Sequence, residues 1–379
     1  MTSPATVGAA PATVTASAAI LRETGAPLTI EEIELDALQP DEVLVRMRGV
    51  GICHTDVAAQ QGVIPLPLPT VLGHEGSGIV EQVGVAVARL APGDHVTLSY
   101  DHCGACQWCQ RGRTAYCELF AAVNYFGARL DSSLTMSQGD AELHGSWFGQ
   151  SSFANYAIAS ERNAVKVPDD LPIELLGPLG CGLQTGAGAV MNVLRPRAGD
   201  GLCVFGLGGV GLAGVMAGSA LGCDPLIGVD INPARLELAR ELGATHTFNP
   251  QDCHDLVWDI LGVAAPGVHC SLDAVGSGPV IRQALEVLRS PGNCVTVGFQ
   301  GLEHEITIDQ GHLLLGRSLS GVIEGDADPQ QFIPELLRLH RAGRFPFEKL
   351  IATFPFSAIN EAIEAAESGV VVKPVIVFD

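Results

Sequence analysis

The chain has 379 residues, of which 47% are hydrophobic and 17% charged, so it is long and apolar enough to bury sizeable cores. Its formal net charge of −21 argues against nucleic acid or an anionic membrane surface as a partner, because either would repel it. No apolar run reaches transmembrane length uninterrupted, and the first 19 residues lack Lys and Arg, so we expect a cytoplasmic protein without a signal peptide.

The N-terminal part is predicted to be a loose extension followed by a β-rich domain. Residues 1–16 are rich in Ala, Thr, Ser and Pro, and we expect them to form the extension. From Ser17 to Val45 the sequence alternates between apolar and polar residues, with Gly and Pro at the turns, which is typical of half-buried strands. This domain also carries two residues of metal-ligand type, Cys53 and His74.

Cys53 and His74 are 21 residues apart, a spacing that matches no zinc finger. Taken alone, a buried cysteine and a hydrogen-bonded histidine are the default interpretation. Cys181, in the stretch GPLGCGLQTG, changes this interpretation. Two cysteines and a histidine leave one open position on a tetrahedral zinc, as a catalytic zinc requires.

A second metal-type pattern crowds four cysteines into C-x2-C-x2-C-x7-C: Cys103, Cys106, Cys109 and Cys117. Four thiolates close a tetrahedral shell, which is typical of a structural zinc. An iron–sulfur cluster is the alternative, because similar spacings bind such clusters. A nucleic-acid zinc ribbon is disfavoured, since only Arg111 and Arg113 add positive charge nearby.

Residues 118–159 are irregular and contain several aromatic residues in a chain that is only 5% aromatic. The aromatic residues of interest are Tyr125, Phe126, Trp147 and Phe148. Without further context they are as consistent with ordinary core packing as with the wall of a binding site.

A dinucleotide fingerprint follows the apolar run Leu202–Phe205. Gly206, Gly208 and Gly211 have the spacing G-x-G-x-x-G, and the helix predicted after them leads to a second strand that ends before Asp230. The glycines permit a tight turn and close approach of a pyrophosphate to the helix N-terminus. Asp230 is placed to bind the adenosine ribose, which favours NAD because a carboxylate repels the 2′-phosphate of NADP. A parallel crossover that binds no nucleotide is the alternative.

Strand and helix patterns alternate regularly from Gly182 to Gly325 and predict about six strands in a doubly wound parallel sheet. After Gly325 two helices and one last strand are predicted. That terminal strand suggests that the chain returns to the first domain.

These motifs, in the order GICHTD, GHE, the four-cysteine lobe, GCG, GLGGVG and VDIN, resemble the zinc-containing alcohol dehydrogenases of the medium-chain dehydrogenase/reductase superfamily. The resemblance covers residues 17–379. It implies an α/β fold in which a doubly wound Rossmann domain is inserted in a β-rich GroES-like catalytic domain. The implied divisions are an extension (1–16), a catalytic domain (17–182) with a structural-zinc lobe (103–117), an NAD-binding domain (183–324) and a return to the catalytic domain (325–379).

The resemblance implies two zinc ions per chain and a bound NAD. The catalytic zinc would be held by Cys53, His74 and Cys181 and would lower the pKa of an alcohol hydroxyl. Thr55 would relay the alcohol proton, and Asp56 and Glu75 would support the ligands from behind, although two solvated acids are the alternative. A histidine completes this relay in many relatives; Ala58 stands at its position here, so we expect the proton to leave through water.

The same resemblance implies contacts to the cofactor and the substrate. The cofactor-binding set is His54, Gly206, Gly208, Gly209, Val210, Gly211, Asp230, Arg235 and Lys373, with His54 and Lys373 at the pyrophosphate and Arg235 at the adenosine ribose. The substrate channel would be formed by Thr55, Tyr100, Trp147, Phe148, Phe299 and Ile323. So many rings favour a flat or unsaturated substrate over ethanol.

The stretches FGQSSFA, GCGLQTGAGAV and EGDADPQQFIP are similar to the aryl (benzyl) alcohol dehydrogenases, a branch that also takes allylic and terpenoid primary alcohols such as geraniol. This implies reversible, NAD-linked oxidation of such alcohols to the aldehyde. A thiol-dependent formaldehyde dehydrogenase is the enzyme alternative, and a non-catalytic dinucleotide sensor the other. The expected partners are the small-molecule substrate and further copies of the same chain. We expect a homodimer, or alternatively a homotetramer.

Overall fold

The structure is a computed structural model that describes residues 14–301 and 303–379. The predicted extension therefore lies outside the described residues except at its end. Residues 14–16 correct its boundary, because they form the start of the first strand: Val14, Thr15 and Ala16 pair with the strand that follows. Burial of Ala16, which is 3% exposed, explains why these residues join the sheet.

The β-rich part of the chain consists of short strands joined by tight turns. Its strands are β1 (Val14–Leu21), β2 (Thr29–Leu35), β3 (Glu42–Gly51), β4 (Thr70–Val71), β5 (Glu75–Val83), β6 (His95–Leu98), β7 (Met136–Gln138), β8 (Ala141–Leu143), β9 (Tyr156–Ser160) and β10 (Ala164–Lys166). Its helices are α1 (His54–Gln60), α2 (Gln107–Gln110) and α3 (Phe120–Tyr125). In β2 the side chains alternate between the two faces of the sheet, so Ile33 and Leu35 are buried and the intervening Glu34 is exposed.

The nucleotide-binding part alternates strand and helix. Its helices are α4 (Gly182–Gly188), α5 (Gly209–Leu221), α6 (Pro233–Glu241), α7 (Leu256–Val263), α8 (Gly278–Glu286) and α9 (Gln310–Leu314). Its strands are β11 (Leu202–Phe205), β12 (Leu226–Val229), β13 (His246–Phe248), β14 (Val268–Asp273), β15 (Leu288–Thr296) and β16 (Arg317–Gly321). Within the described ranges these strands form a parallel sheet in the order β13-β12-β11-β14-β15-β16, which confirms the predicted doubly wound fold.

The C-terminal segment contains α10 (Pro329–Arg341), β17 (Ile351–Pro355), α11 (Ile359–Glu367) and β18 (Lys373–Val377). β18 pairs antiparallel with β3 and parallel with β17. The chain thus returns to the sheet of the first domain, as the terminal strand pattern indicated. It returns with two strands where the sequence pattern predicted one, because β17 adds to the free side of β18.

Two sheets of the β-rich part pack around a common core that includes Ile20, Leu44, Leu98 and Phe153. Their strand orders are β4-β1-β2-β7-β8 and β10-β6-β5-β3-β18-β17, with β9 also paired to β3. This arrangement brings the end of β3, the start of β5 and the start of β18 side by side. The residues that follow β3 and the first residue of β18 line one cleft with the residues that follow β14 and β15, at the carboxyl edge of the parallel sheet, where a ligand cleft is expected.

Candidate active site

Three ligand-type side chains converge from separate parts of the sequence. Cys53 is the N-cap of α1 directly after β3, His74 precedes β5, and Cys181 precedes α4. Their ligand atoms all lie within 4.8 Å of one another. His74 Nε2 is buried and has no hydrogen-bond partner among the described residues. A buried, unpartnered imidazole nitrogen facing two thiols fits a zinc ion bound by these three residues.

The charges of the three ligands are coupled. A hydrogen bond from the Cys181 thiol lowers the pKa of Cys53 well below its usual value, although burial opposes this. Burial also disfavours a charged His74, but the neighbouring Asp56 and Cys53 hold the pKa of this imidazole well above its usual value. Thiolate character at Cys53 is what a metal ligand requires.

Asp56 lies behind the ligands and receives hydrogen bonds only. Its Oδ1 lies 2.8 Å from His74 Nδ1 and accepts from the backbone N–H of Gly73 at 3.1 Å. Its Oδ2 accepts from the backbone N–H of Cys53 at 3.1 Å. A carboxylate at Nδ1 fixes the tautomer that leaves Nε2 free for a metal.

Glu75, the other expected supporting acid, is paired with Lys373. The Lys373 ammonium donates to both carboxylate oxygens at 2.9 Å and to the carbonyl of Ile52 at 3.1 Å. Burial opposes the charged form of each partner: it raises the pKa of Glu75, whereas Glu75 raises the pKa of Lys373. Lys373 therefore borders the cofactor cleft while its ammonium donates to Glu75 and Ile52.

Glu324 joins this site although the sequence analysis did not single it out. Its Oε1 lies 3.7 Å from Cys181 Sγ and its Oε2 accepts from Gln184 Nε2 at 3.1 Å. Burial raises the pKa of this carboxyl to about 7. Its backbone is left-handed, with φ of 50°, which is strained for a residue other than glycine. Glu324 is the first residue of the stretch EGDADPQQFIP and directly follows the expected channel residue Ile323, and this position is the sequence signal that points to it.

The four-cysteine lobe surrounds α2. The Sγ atoms of Cys103, Cys106, Cys109 and Cys117 all lie within 4.8 Å of one another, and Cys106 and Cys109 approach to 3.5 Å. Hydrogen bonds from the backbone N–H groups of Cys109 and Glu118 lower the pKa of Cys106 to about 6. This donor set fits a metal that needs four thiolates and keeps no open position.

Glu286, Asp309 and His312 form a third group whose ligand-type atoms lie close together, but an arginine side chain already pairs with its acids. Arg282 Nε donates to Glu286 at 2.8 Å, and the same guanidinium pairs with Asp309. The guanidinium offsets part of the charge of the two acids, so this group is an ordinary surface ion-pair cluster.

A cleft of about 400 Å³ opens between the two parts of the chain. It is lined by the start of α1, the glycine turn, the ends of β14 and β15, and the segment that leads into β18. Gly206 has φ of 83°, and a Cβ on Gly211 would meet the Gly206 carbonyl oxygen at 1.8 Å. A Cβ on Gly208 would meet nothing within 4 Å, so the turn leaves open space at the helix N-terminus for a phosphate.

All the expected cofactor residues except Gly206 and Asp230 line this cleft. Gly208, Gly209, Val210 and Gly211 line it together with the exposed His54. Asp230 follows β12 and accepts from the backbone N–H of Leu207 at 2.6 Å and of Asn232 at 2.8 Å. Arg235 also lines the cleft, but one of its nitrogens donates to the carbonyls of Gly369 and Val371.

Two of the expected substrate rings, Trp147 and Phe148, pack against His74. Phe148 stacks on the imidazole at a centroid distance of 4.3 Å, whereas Trp147 packs edge-on at 6.3 Å. Trp147 also donates from its indole N–H to Asp56 Oδ1 at 2.9 Å. Tyr100 is buried, and its hydroxyl donates to the Ala327 carbonyl at 2.7 Å, so its polar end is directed to the backbone.

The remaining expected residues lie on both sides of the cleft. Phe299 lines it and is 38% exposed, and Thr55 lines it beside Cys53, with its hydroxyl 3.7 Å from the Cys53 sulfur. Ile323 is half-buried against the core of the β-rich part. Ala58, at the position where many relatives have the relay histidine, is 4% exposed. Among the described residues, no helix has the length and apolar character needed to cross a membrane.

Two protein families match the chain. The family described as alcohol dehydrogenase GroES-like domain matches residues 39–169. The family described as zinc-binding dehydrogenase matches residues 209–340. The first match includes Cys53 and His74, and the second begins within the glycine turn and includes the parallel strands β12 to β16.

Individual relatives align over nearly the whole chain. A geraniol dehydrogenase of Castellaniella defragrans is 47% identical over 96% of this chain and 98% of its own. The crystal structure of benzyl alcohol dehydrogenase from Acinetobacter calcoaceticus superposes with a TM-score of 0.93 at 41% identity, covering 97% of this chain and all of that one. An S-(hydroxymethyl)glutathione dehydrogenase of Haemophilus influenzae is 34% identical over 96% and 97% of the two chains.

Proposed function

The chain belongs to the zinc-containing alcohol dehydrogenases of the medium-chain dehydrogenase/reductase superfamily, and we propose that it interconverts aromatic or allylic primary alcohols and their aldehydes with NAD. The observation that carries this proposal is the convergence of Cys53, His74 and Cys181 at the edge of the dinucleotide cleft. The higher identity to a geraniol dehydrogenase than to an S-(hydroxymethyl)glutathione dehydrogenase supports the substrate class.

Zinc, held by Cys53, His74 and Cys181, supplies a Lewis acid and NAD a hydride acceptor when both are bound. The chain's own residues orient and shield this chemistry. Asp56 holds the Nδ1–H of His74, and Thr55 offers a hydroxyl between the ligands and the cleft. Phe148 covers the face of the imidazole and excludes water from it.

The proposed preference for NAD rests on Asp230. Its carboxylate follows β12 and is held by two backbone N–H groups, so its charge is fixed near the position that an adenosine ribose takes in this fold. Arg235 lines the same cleft, and its Nη2 donates to the carbonyls of Gly369 and Val371.

Further parts of the proposal concern metal content, assembly and location. We propose a second, structural zinc in the four-cysteine lobe, which the mutual proximity of its thiols supports. A homodimer, or a homotetramer, is supported by exposed Leu313, Leu314 and Leu315 beside β16, an edge strand of the described parallel sheet. A cytoplasmic location is supported by eleven unpaired cysteines.

The test is to incubate the purified zinc-loaded protein with NAD or NADP and with benzyl alcohol, geraniol or ethanol, and to follow reduced-cofactor absorbance. We expect fast NAD reduction with the first two alcohols and little with ethanol. Activity that appears only after a thiol and formaldehyde are added would replace this proposal with the formaldehyde dehydrogenase. Cofactor binding without turnover on any substrate would favour a non-catalytic sensor.

Two variants separate chemistry from packing in this test. Thr55→Ala removes the hydroxyl beside Cys53 and is expected to lower kcat by about 100-fold, the typical contribution of one proton-transfer group. Thr55→Ser keeps the hydroxyl and is expected to retain most of the activity. Equal losses in both variants would contradict a proton-transfer role for Thr55.

A further inference from the structure

Asp56 connects the indole of Trp147 to the metal-ligand histidine. Its Oδ1 lies 2.8 Å from His74 Nδ1 and accepts from Trp147 Nε1 at 2.9 Å. The side chains of Asp56 and His74 are 1% and 0% exposed, and Trp147 is 2% exposed. Because water does not reach this carboxylate, solvent does not replace a donor that is lost.

The donors to Asp56 differ in where they come from. The backbone N–H groups of Cys53 and Gly73 belong to the ligand-bearing segments themselves, so they move with the ligands. Trp147 comes from a turn 91 residues farther along the chain. Its N–H therefore ties the carboxylate to an element that carries none of the three ligands.

The turn that carries Trp147 is strained and strongly fixed. Ser146 and Phe148 flank the tryptophan with φ of 61° and 51°, in the left-handed region that residues other than glycine rarely adopt. The Trp147 backbone N–H donates to Ser151 Oγ at 2.9 Å, and that hydroxyl donates to the Val71 carbonyl at 2.6 Å. Such a conformation persists only where surrounding contacts hold it, so the direction of the indole is determined by the fold.

The same turn reaches the imidazole in two ways. Phe148 stacks on the face of His74 at 4.3 Å with an interplanar angle of 22°. Trp147 acts on the edge of the ring through Asp56. Together they restrict both the tilt of the imidazole and its rotation about the Cβ–Cγ bond.

We propose that Trp147 is a positioning residue for the ligand His74, beyond the channel-wall role expected from the sequence. Its indole N–H holds Asp56 so that the carboxylate retains the Nδ1–H of His74 and directs Nε2 toward Cys53 and Cys181. The inference rests on the proposed zinc function of these three residues. The positioning role requires the indole N–H group. An aromatic ring of similar bulk that lacks this group therefore does not substitute for Trp147.

The primary test compares zinc release from folded, zinc-loaded proteins into a chromogenic chelator. Trp147→Phe keeps an aromatic ring and removes the N–H. Loss of a residue that supports a metal ligand typically weakens metal affinity by about 10- to 100-fold, and we expect zinc to leave the Cys53, His74 and Cys181 site faster by a similar factor. Release from the four-cysteine lobe serves as an internal reference and is expected to be unchanged. Trp258→Phe is the matched control, because Trp258 is 72% exposed on α7, and it should release zinc at the wild-type rate.

Steady-state kinetics separate positioning from a wall contact. Positioning predicts that Trp147→Phe lowers kcat for benzyl alcohol and for a short aliphatic alcohol by similar factors, with little change in KM. A wall contact alone predicts a higher KM for benzyl alcohol and an unchanged rate of zinc release, and that result would overturn the inference. In an Asp56→Ala background the positioning role predicts no further effect of Trp147→Phe on zinc release.

Further measurements distinguish a folding defect, a failed positioning role and a failed zinc function. If Trp147→Phe does not fold, judged by near-ultraviolet circular dichroism, Trp147→His takes its place, since it retains a ring N–H and should release zinc more slowly than Trp147→Ala. Equal release from the His and Ala variants would refute the role of the N–H. A wild-type protein that holds no zinc at Cys53, His74 and Cys181 would instead overturn the proposed function itself.

Discussion

The Lys373 ammonium lies 2.9 Å from both carboxylate oxygens of Glu75, and the two residues are 5% and 0% exposed. This buried ion pair joins the start of β18 to the start of β5, 298 positions apart in the sequence. It also supports Ile52, next to the ligand Cys53, through the Ile52 carbonyl. Lys373, which also lines the cofactor cleft, thus connects β18 to the segment that carries Cys53.

Lys373→Met is expected to destabilise the protein by about 3 to 5 kcal/mol, because it leaves the Glu75 carboxylate buried and unpaired. Adding Glu75→Gln should recover a large part of that loss, since the second substitution removes the unpaired charge. Urea unfolding of the two single variants and the double variant measures the coupling. A Lys373→Met protein of wild-type stability with a raised KM for NAD would support the pyrophosphate role instead.

Asp230→Asn should shift cofactor preference from NAD toward NADP. The substitution removes the negative charge near the expected ribose site and keeps one acceptor oxygen, where the carboxylate uses one oxygen each for the N–H groups of Leu207 and Asn232. We expect the ratio of kcat/KM for NAD over NADP to fall by about tenfold or more, which corresponds to about 1.4 kcal/mol. Asp252→Asn changes an exposed acid in the segment after β13; it is the control and should leave the ratio unchanged.

Cys109→Ser tests the metal in the four-cysteine lobe. Cys109 Sγ lies 3.5 Å from Cys106 and 3.9 Å from Cys103, so its loss opens the proposed tetrahedral shell. Zinc content should fall from about two ions per chain to about one, and Tm by roughly 5 °C or more. Cys253→Ser, outside both ligand sets, should change neither. An iron–sulfur cluster would appear as visible absorbance in the wild-type protein.

Buried thiols in the parallel sheet predict a loss of stability at high pH. Burial raises the pKa of Cys270 and Cys294 from 9.0 to about 12. Between pH 9 and 12 the folded chain therefore retains protons that the unfolded chain releases, so stability is complete below pH 9 and falls as the pH rises. Cys294→Ala should make the decline shallower by up to about 1.4 kcal/mol per pH unit. Identical slopes of unfolding free energy against pH in both proteins would contradict this assignment.

The sequence predicted the fold well because its signals are local. Gly206, Gly208 and Gly211 encode a turn through their own backbone freedom, and regular alternation of strand and helix leaves few ways to arrange a parallel sheet. The four-cysteine lobe is local in the same sense, since its ligands lie within 15 residues. Such patterns act over a few residues, and tertiary packing does not alter them.

Boundaries were less predictable than element types. The helical sequence pattern from Pro279 to Arg289 continues past Glu286, where the helix ends, because Leu288 pairs with Val268 of β14 and belongs to β15. β17 was missed for a related reason: its pairing partner, β18, lies more than fifteen residues later. Strand limits depend on a neighbour that the local sequence does not contain.

The amino-acid sequence by itself determined the chemistry available to this protein: two thiols and an imidazole for one metal, four thiols for another, and a glycine turn for a dinucleotide. Only the tertiary structure decided which polar groups meet. It paired Lys373 with Glu75, directed the indole of Trp147 to Asp56, and brought Glu324 beside Cys181. The physical reason is that a buried polar atom must find its partner wherever the fold places one, and segments distant in sequence supply those partners.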